Sequence, residues 1–395
     1  MNTDLIIIEP EFSEPHPELS IVIPAANEQK TIREFIDWCK KGIQEAQVSA
    51  EIIIVSSSSD DTGKIARECG ARVIETPRRG LGRAYIDSLN FIKGKYVLLG
   101  DADCTYDFRE LSLFLTKFRS GYDFIMGSRY KGSIEKGAMP FMHQYIGTPI
   151  TTYILNKLFN TNFSDIHCGM RGITKKAFEK INLQSQSWEY ASEMVIKARQ
   201  HNLRIEEVPV KFYKDINGRQ SHHKRSGFLS PYKAAFINIR AMLIYGSEYV
   251  LRKIGNVLSI LGLLPLLLLT FGPKRLGNYE FNITAQVIGA FLFLAGIQFI
   301  LISQISRQIH DYSGSDIRKN SLLSNYNFAF LISLVIFTLG IILILPFFIA
   351  VIKQSYVIPE KEYLLNMGIL GFTLIFLAIE YFTSFLVLLG VKHRI

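Results

Sequence analysis

The last third of this chain is built almost entirely from apolar stretches, roughly over residues 255–272, 283–304, 328–352 and 364–391. A helix needs about 20 apolar residues to cross ~30 Å of hydrocarbon, and each stretch is near that length. Leu, Ile, Phe and Val are each worth roughly −0.3 to −0.6 kcal/mol at the centre of a span, so ten or more outweigh an occasional polar residue. One such stretch fits a buried soluble helix. Four in succession read as a multi-pass membrane domain over 254–395. Glu380 is the exception in the last span, and it is expected to face the bundle interior or a partner.

Four spans return the C-terminus to the side on which the preceding domain lies. Links on that side carry Arg307, Arg318, Lys319, Lys392 and Arg394, with Arg252 and Lys253 leading in; the opposite links carry Lys274, Arg275, Lys353 and Lys361. Seven basic residues against four predict that the N-terminal domain and both termini are cytoplasmic. Cys39, Cys69, Cys104 and Cys168 are scattered without metal-ligand spacing and read as reduced thiols, as that compartment requires. The acidic start, with Asp4, Glu9, Glu11 and Glu14, lacks the basic run of a signal peptide and is expected to be a loose leader over 1–18. Just ahead of the spans, Lys233, Arg240, Arg252 and Lys253 interleave with Phe236, Ile237, Ile239, Met242, Leu243 and Ile244. That pattern predicts amphipathic helices over 229–253 lying in the membrane interface.

Residues 19–228 have the composition of a mixed soluble domain. Short apolar runs (Leu19–Pro24, Glu51–Val55, Arg72–Glu75, Tyr96–Leu99, Asp123–Gly127, Ile205–Phe212) alternate with helical patterns. Strands alternating with helices imply an α/β domain with a mostly parallel, Rossmann-like sheet. In such sheets ligands bind beyond the carboxyl ends of the strands. Pro24, Glu28, Ser56, Asp60 and the pair Asp101/Asp103 all fall at that end. Asp-x-Asp alone fits a solvated turn better than a ligand site. At a strand end it is suited to holding a hard divalent cation, Mg²⁺ or Mn²⁺, that carries a diphosphate. The Gly- and Lys-containing stretch 131–147 reads as a lid, Glu189 and Glu193 as one face of a helix, and 219–225 as a basic strip. The strip, with Arg219 and Lys224, suits either lipid headgroups or an anionic acceptor. Lys and Arg exceed Asp and Glu by 44 to 35, a net +9, which also suits an anionic partner.

Ser20-Ile-Val-Ile-Pro-Ala-Ala-Asn-Glu28, Asp101-Ala-Asp103, Gly127-Ser-Arg-Tyr130 and the Asp165…Gly169-Met-Arg171 turn together resemble the family-2 glycosyltransferases of GT-A fold. Within that family the likeness is to the dolichyl/polyprenyl-phosphate sugar synthases. The resemblance covers about residues 18–225. It implies inverting transfer from a UDP- or GDP-sugar to a polyprenyl phosphate, with a divalent metal on Asp101 and Asp103. By position, Pro24, Ala26, Glu28, Ser56 and Ala102 would line the nucleotide with the two acids, and Arg129 would contact phosphate. The chain departs from the pattern at three places. Ser56 stands where a paired acid is usual, Thr105 where a Gln is frequent, and His143 or a neighbour where an acceptor-binding Arg is expected. A neutral lipid or growing glycan is the alternative acceptor, for which Asp165, Glu189 or Glu193 would be the base. A Gln-x-x-Arg-Trp sequence, expected of a processive synthase, does not occur. A non-catalytic glycolipid-binding or translocating module is the reading from another class. Nucleic acid is not an expected partner, and a homo-oligomer is left open.

Overall fold

The computed structural model describes residues 4–216, 246–309, 326–353 and 361–392, with part of 236–244. The chain divides into two units, Met1–Gly246 and Ser247–Ile395.

Within the first unit, β-branched runs with both faces buried build the centre of a sheet, the expected pattern for parallel strands. The strands are β1 (Ile6–Ile8), β2 (Leu19–Ala25), β3 (Ala50–Ser56), β4 (Arg72–Glu75), β5 (Tyr96–Leu99), β6 (Phe124–Ile134), β7 (Arg171–Thr174) and β8 (Ile205–Phe212). Helices α1 (Ile32–Glu45), α2 (Thr62–Glu68), α3 (Leu81–Ser88), α4 (Ser112–Arg119), α5 (Thr148–Phe159), α6 (Lys175–Ile181) and α7 (Tyr190–Gln200) connect them. The sheet order is β1-β4-β3-β2-β5-β7-β6-β8. Strands β4, β3, β2 and β5 are parallel, β7 enters antiparallel between β5 and β6, and β8 runs parallel to β6. Ile53, Ile54, Val97, Leu98 and Leu99 are fully buried, each contributing roughly 1.5–3 kcal/mol on an area basis.

Three expectations change here. Residues 1–18 are not a loose leader throughout, because β1 pairs with β4 from Ile6 opposite Glu75 to Ile8 opposite Val73. Glu9 anchors it, bonding the buried Arg72, whose guanidinium also meets Glu51 at 2.9 Å. The 131–147 stretch carries the end of β6, which pairs with β8 again at Ser133 after a register break, and a π-helical turn at His143–Gly147. Strand β7 begins at Arg171, where the turn was expected to end, and helix α5 follows the stretch expected as a lid.

The second unit holds four helices among the described residues, α8 (Ser247–Leu268), α9 (Ile283–Ile309), α10 (Tyr326–Lys353) and α11 (Glu362–Lys392), each long and apolar enough to cross a membrane. A hairpin of β9 (Lys274–Leu276) and β10 (Tyr279–Phe281) joins α8 to α9. Residues 247–253, expected in a separate interfacial helix, are the first turns of α8. The rest of that segment lies largely outside the described residues. Glycines set the packing. A Cβ on Gly262 of α8 would lie 2.5 Å from the Gly289 carbonyl of α9, and one on Gly371 of α11 would lie 2.8 Å from the Gly340 carbonyl of α10. Such close backbone approach is how helices associate where no hydrophobic effect drives them together. Gln286 and Asn366, both buried, donate to the Leu266 and Leu269 carbonyls at and just beyond the end of α8, which also accept from the Thr270 hydroxyl and the Gly272 N–H. Glu380 is half-buried on α11.

Candidate functional site

Register places the loops in one row. Ala25 at the end of β2 is opposite Ser56 at the end of β3, and Val22 is opposite Leu99, two residues before Asp101. The loop after β2 and the turn after β3 are laced together. Asn27, in the left-handed region at φ 59°, accepts from Ser59 N–H at 2.9 Å and donates its own N–H to Ser58 Oγ at 3.0 Å. Glu28, buried, donates its N–H to Thr62 Oγ1 at 2.9 Å, and its carboxylate accepts from Thr31 Oγ1 at 3.3 Å. Asp60 in turn accepts from the Thr62 N–H and hydroxyl. Pro24 and Ala26 are partly exposed at this edge, and Ser56 is buried beneath the turn. The serine-rich sequence is therefore hydrogen-bonded into a scaffold for the Glu28 loop.

Asp101 and Asp103 are partly exposed on either side of buried Ala102. Thr105 orients Asp103, donating its N–H at 3.1 Å and its hydroxyl at 2.6 Å to Oδ1. The Thr105 hydroxyl is thus directed at the acid rather than at a ligand. No cluster of three or more His, Cys, Asp or Glu occurs among the described residues, so a cation here would take its remaining ligands from a bound diphosphate and water. The donor set, oxygens alone, fits Mg²⁺ or Mn²⁺.

Arg129 is 7% exposed and its fork is closed by the fully buried Asp165, through Nε at 2.7 Å and Nη2 at 2.8 Å. The Arg129 N–H adds a third bond to the same carboxylate at 3.1 Å. The Nε and Nη2 groups of Arg129, which was expected to contact phosphate, are engaged by an internal pair, and Asp165 accepts the His167 N–H as well at 3.3 Å, as a buried charge requires partners. The same pairing occupies Asp165, so it is not poised as a base. Glu193 is also unsuited to that role: it is fully buried, pairs with Lys197 at 2.5 Å and accepts from the N–H groups of Gln184 and Ser185. Glu189 is partly exposed at the start of α7.

His143 sits on the π turn, which Tyr130 holds by donating to the Gln144 carbonyl at 2.5 Å. Burial, then the charge of Arg129, lowers the His143 pKa, leaving a neutral ring that is a weak phosphate ligand. Arg219 and Lys224 lie outside the described residues.

Several residues matter here that local reasoning did not single out. Arg171 is fully buried and donates to three carbonyls, Cys168, Ala191 and Ile166, at 2.7–2.9 Å. Tyr106, 3% exposed, accepts the Gly169 N–H at 2.8 Å. His167 bonds Thr151 at 2.8 Å; burial pushes its pKa down to about 4, with Asp165 opposing and Arg129 and Arg171 adding to the fall. Burial, with Asp165 adding, pushes Cys168 up to about 12, and all four cysteines are free and buried.

Residues 20–182 match Glycosyl transferase family 2. The low-salt glycan biosynthesis hexosyltransferase Agl6 of Haloferax volcanii is 37% identical over 293 residues, 73% of this chain and 68% of that protein. The dolichyl-phosphate hexose transferase of the same organism is 29% identical over 200 residues, 49% of this chain and 82% of that protein. Among solved structures, glucosyl-3-phosphoglycerate synthase from Mycobacterium tuberculosis, in complex with Mn²⁺, UDP and its product, aligns at TM-score 0.45 and 20% identity over 57% of this chain and 79% of that one. The mostly parallel sheet is of the GT-A type that the motifs imply. With the motifs, the strand-end acids and the extent of the likeness to Agl6 in agreement, the chain belongs to glycosyl transferase family 2 and is a glycosyltransferase carrying four candidate membrane spans.

Proposed function

We propose that the enzyme moves a hexose from a UDP- or GDP-sugar to a polyprenyl or dolichyl phosphate, with inversion, at the cytoplasmic face of the membrane. The observation that carries this reading is Asp101 and Asp103 at the carboxyl end of β5, in register with the Glu28 loop and Ser56. Pro24, Ala26, Glu28 and Ser56 would line the nucleotide, and Asp101 and Asp103 would hold the divalent cation. That cation supplies Lewis-acid stabilisation of the leaving diphosphate. An acceptor phosphate oxygen attacks the anomeric carbon, and the bond to the diphosphate breaks with its electron pair.

A phosphate is already charged at neutral pH and needs no general base, so alignment and charge neutralisation carry catalysis. The engagement of Asp165 with Arg129 and of Glu193 with Lys197 supports that choice over a hydroxyl acceptor. Arg129 then contributes a fixed positive charge held at one orientation, while Arg219 and Lys224 contact the acceptor or leaving phosphates. The dolichyl-phosphate hexose transferase likeness supports the lipid class. The test is transfer from a panel of labelled UDP- and GDP-sugars to dolichyl and undecaprenyl phosphate, with and without EDTA. Activity lost with EDTA and in Asp103→Ala is expected. No transfer from any donor, with Asp103→Ala binding nucleotide and metal as the parent does, overturns the proposal. A C-terminal reporter on the outer face would overturn the orientation.

A further inference from the structure

We propose that Gly169 is a positioning residue for Asp101, and that its missing side chain leaves the space in which the Asp101 carboxylate is held; this rests on the reading of Asp101 as a metal acid. A Cβ built on Gly169 would lie closer than 3.0 Å to Asp101 Oδ2, 3.4 Å from Asp101 Cγ and 3.0 Å from Tyr106 Cε2. One of these neighbours must give way. The turn cannot, because Arg171 grips its carbonyls at Ile166 and Cys168 and Tyr106 holds the Gly169 N–H. The Tyr106 ring cannot either, being buried and packed on Phe212 at 5.0 Å between centroids. The Asp101 carboxylate, the far end of a partly exposed side chain, is the neighbour that shifts at least cost. Gly169 also lies outside the left-handed region that favours glycine, so the backbone accepts alanine.

A substitution here is therefore mild for the fold and severe for ligand placement. Productive sites hold their groups within about 0.5 Å, and disturbing the residues that orient a metal ligand typically weakens metal binding by about 10–100-fold. The same turn closes Arg129 through Asp165 at its other end. One rigid segment thereby fixes the strand-end acid and the buried cation relative to each other.

The experiment is Mn²⁺ binding to the full-length protein in detergent, followed by the electron paramagnetic resonance of free Mn²⁺ with UDP or GDP present. Gly169→Ala is expected to weaken Mn²⁺ binding about 10–100-fold with the melting temperature nearly unchanged. Tyr106→Phe, which removes only the acceptor for the Gly169 N–H, is expected to weaken it about 2–10-fold. In an Asp101→Ala background Gly169→Ala is expected to add nothing further, since its effect runs through that carboxylate. Binding unchanged in Gly169→Ala, or an equal loss with and without Asp101, overturns the inference. If Gly169→Ala does not fold, unchanged binding in Tyr106→Phe overturns it. Failure of the metal-site reading looks different: the parent and Asp101→Ala would then bind Mn²⁺ alike.

Discussion

Removing the Asp165 carboxylate should destabilise the first unit severely, because it strands a buried cation. Asp165 accepts Nε, Nη2 and N–H of Arg129 at 2.7, 2.8 and 3.1 Å, and the two side chains are 0% and 7% exposed. Hydrogen bonds to a charged group are worth about 1.5–3 kcal/mol each, so a simple sum reaches about 4.5–9 kcal/mol. That sum overshoots, since Asp165 no longer pays its own desolvation; measured losses on breaking a buried pair are about 3–5 kcal/mol. A unit of this size shifts its melting temperature by about 2–4 °C per kcal/mol, so Asp165→Ala should melt roughly 6–20 °C lower. The assay is convenient, because both tryptophans, Trp38 and Trp188, lie in this unit. Tryptophan fluorescence during heating of the intact protein therefore reports the catalytic unit alone. The double variant Arg129→Met/Asp165→Leu removes both charges and should melt closer to the parent than the single variant does. A drop below about 2 °C in Asp165→Ala, or a double variant no more stable than the single, would refute this reasoning.

Acid should weaken the same unit through His167. Its folded pKa, about 4, is below the ordinary ~6.5, so the unfolded chain takes up the proton first. Stability is then complete above about pH 6.5 and falls as the pH drops toward 4; melting temperatures across that range should flatten in His167→Gln. Glu193→Gln should lower the melting temperature yet keep the turnover of the folded fraction within about threefold, and a far larger loss of turnover would restore Glu193 as a base. In the membrane unit, Gly262→Val should part α8 from α9 at about 1–3 kcal/mol, as overpacking does; unchanged resistance to denaturing detergent would contradict the glycine contact.

The parallel half of the sheet was legible because its strands are continuous apolar runs closed by Pro, Ser or Gly, and the four spans because lipid demands length. Strand β7 escaped because Arg171-Gly-Ile-Thr174 carries too little apolar pattern, and its pairing with β5 and β6 is entirely long-range. Helix α5 escaped behind Gly147 and a β-branched Thr151-Thr152 pair, although Pro149 near its first turn is a recognised start signal. At the site, Asp101 and Asp103 were visible as a motif, whereas the closure of Arg129 by Asp165 joins residues 36 apart and left no local trace. The Glu193–Lys197 pair did leave one: the spacing i, i+4 favours an ion pair, and Glu193 was instead paired with Glu189 as a face.

Both ends of the sheet are short of hydrogen-bonding appetite. At one edge β1 contributes only three residues and is flanked by Asp4 and Glu9; at the other β8 carries Pro209 and Lys211. Tethering to a bilayer confines many copies to two dimensions, where neighbours meet far more often than in free solution. Long open edges would zip together under such crowding. Blunted ones give a neighbouring copy little open strand to pair with.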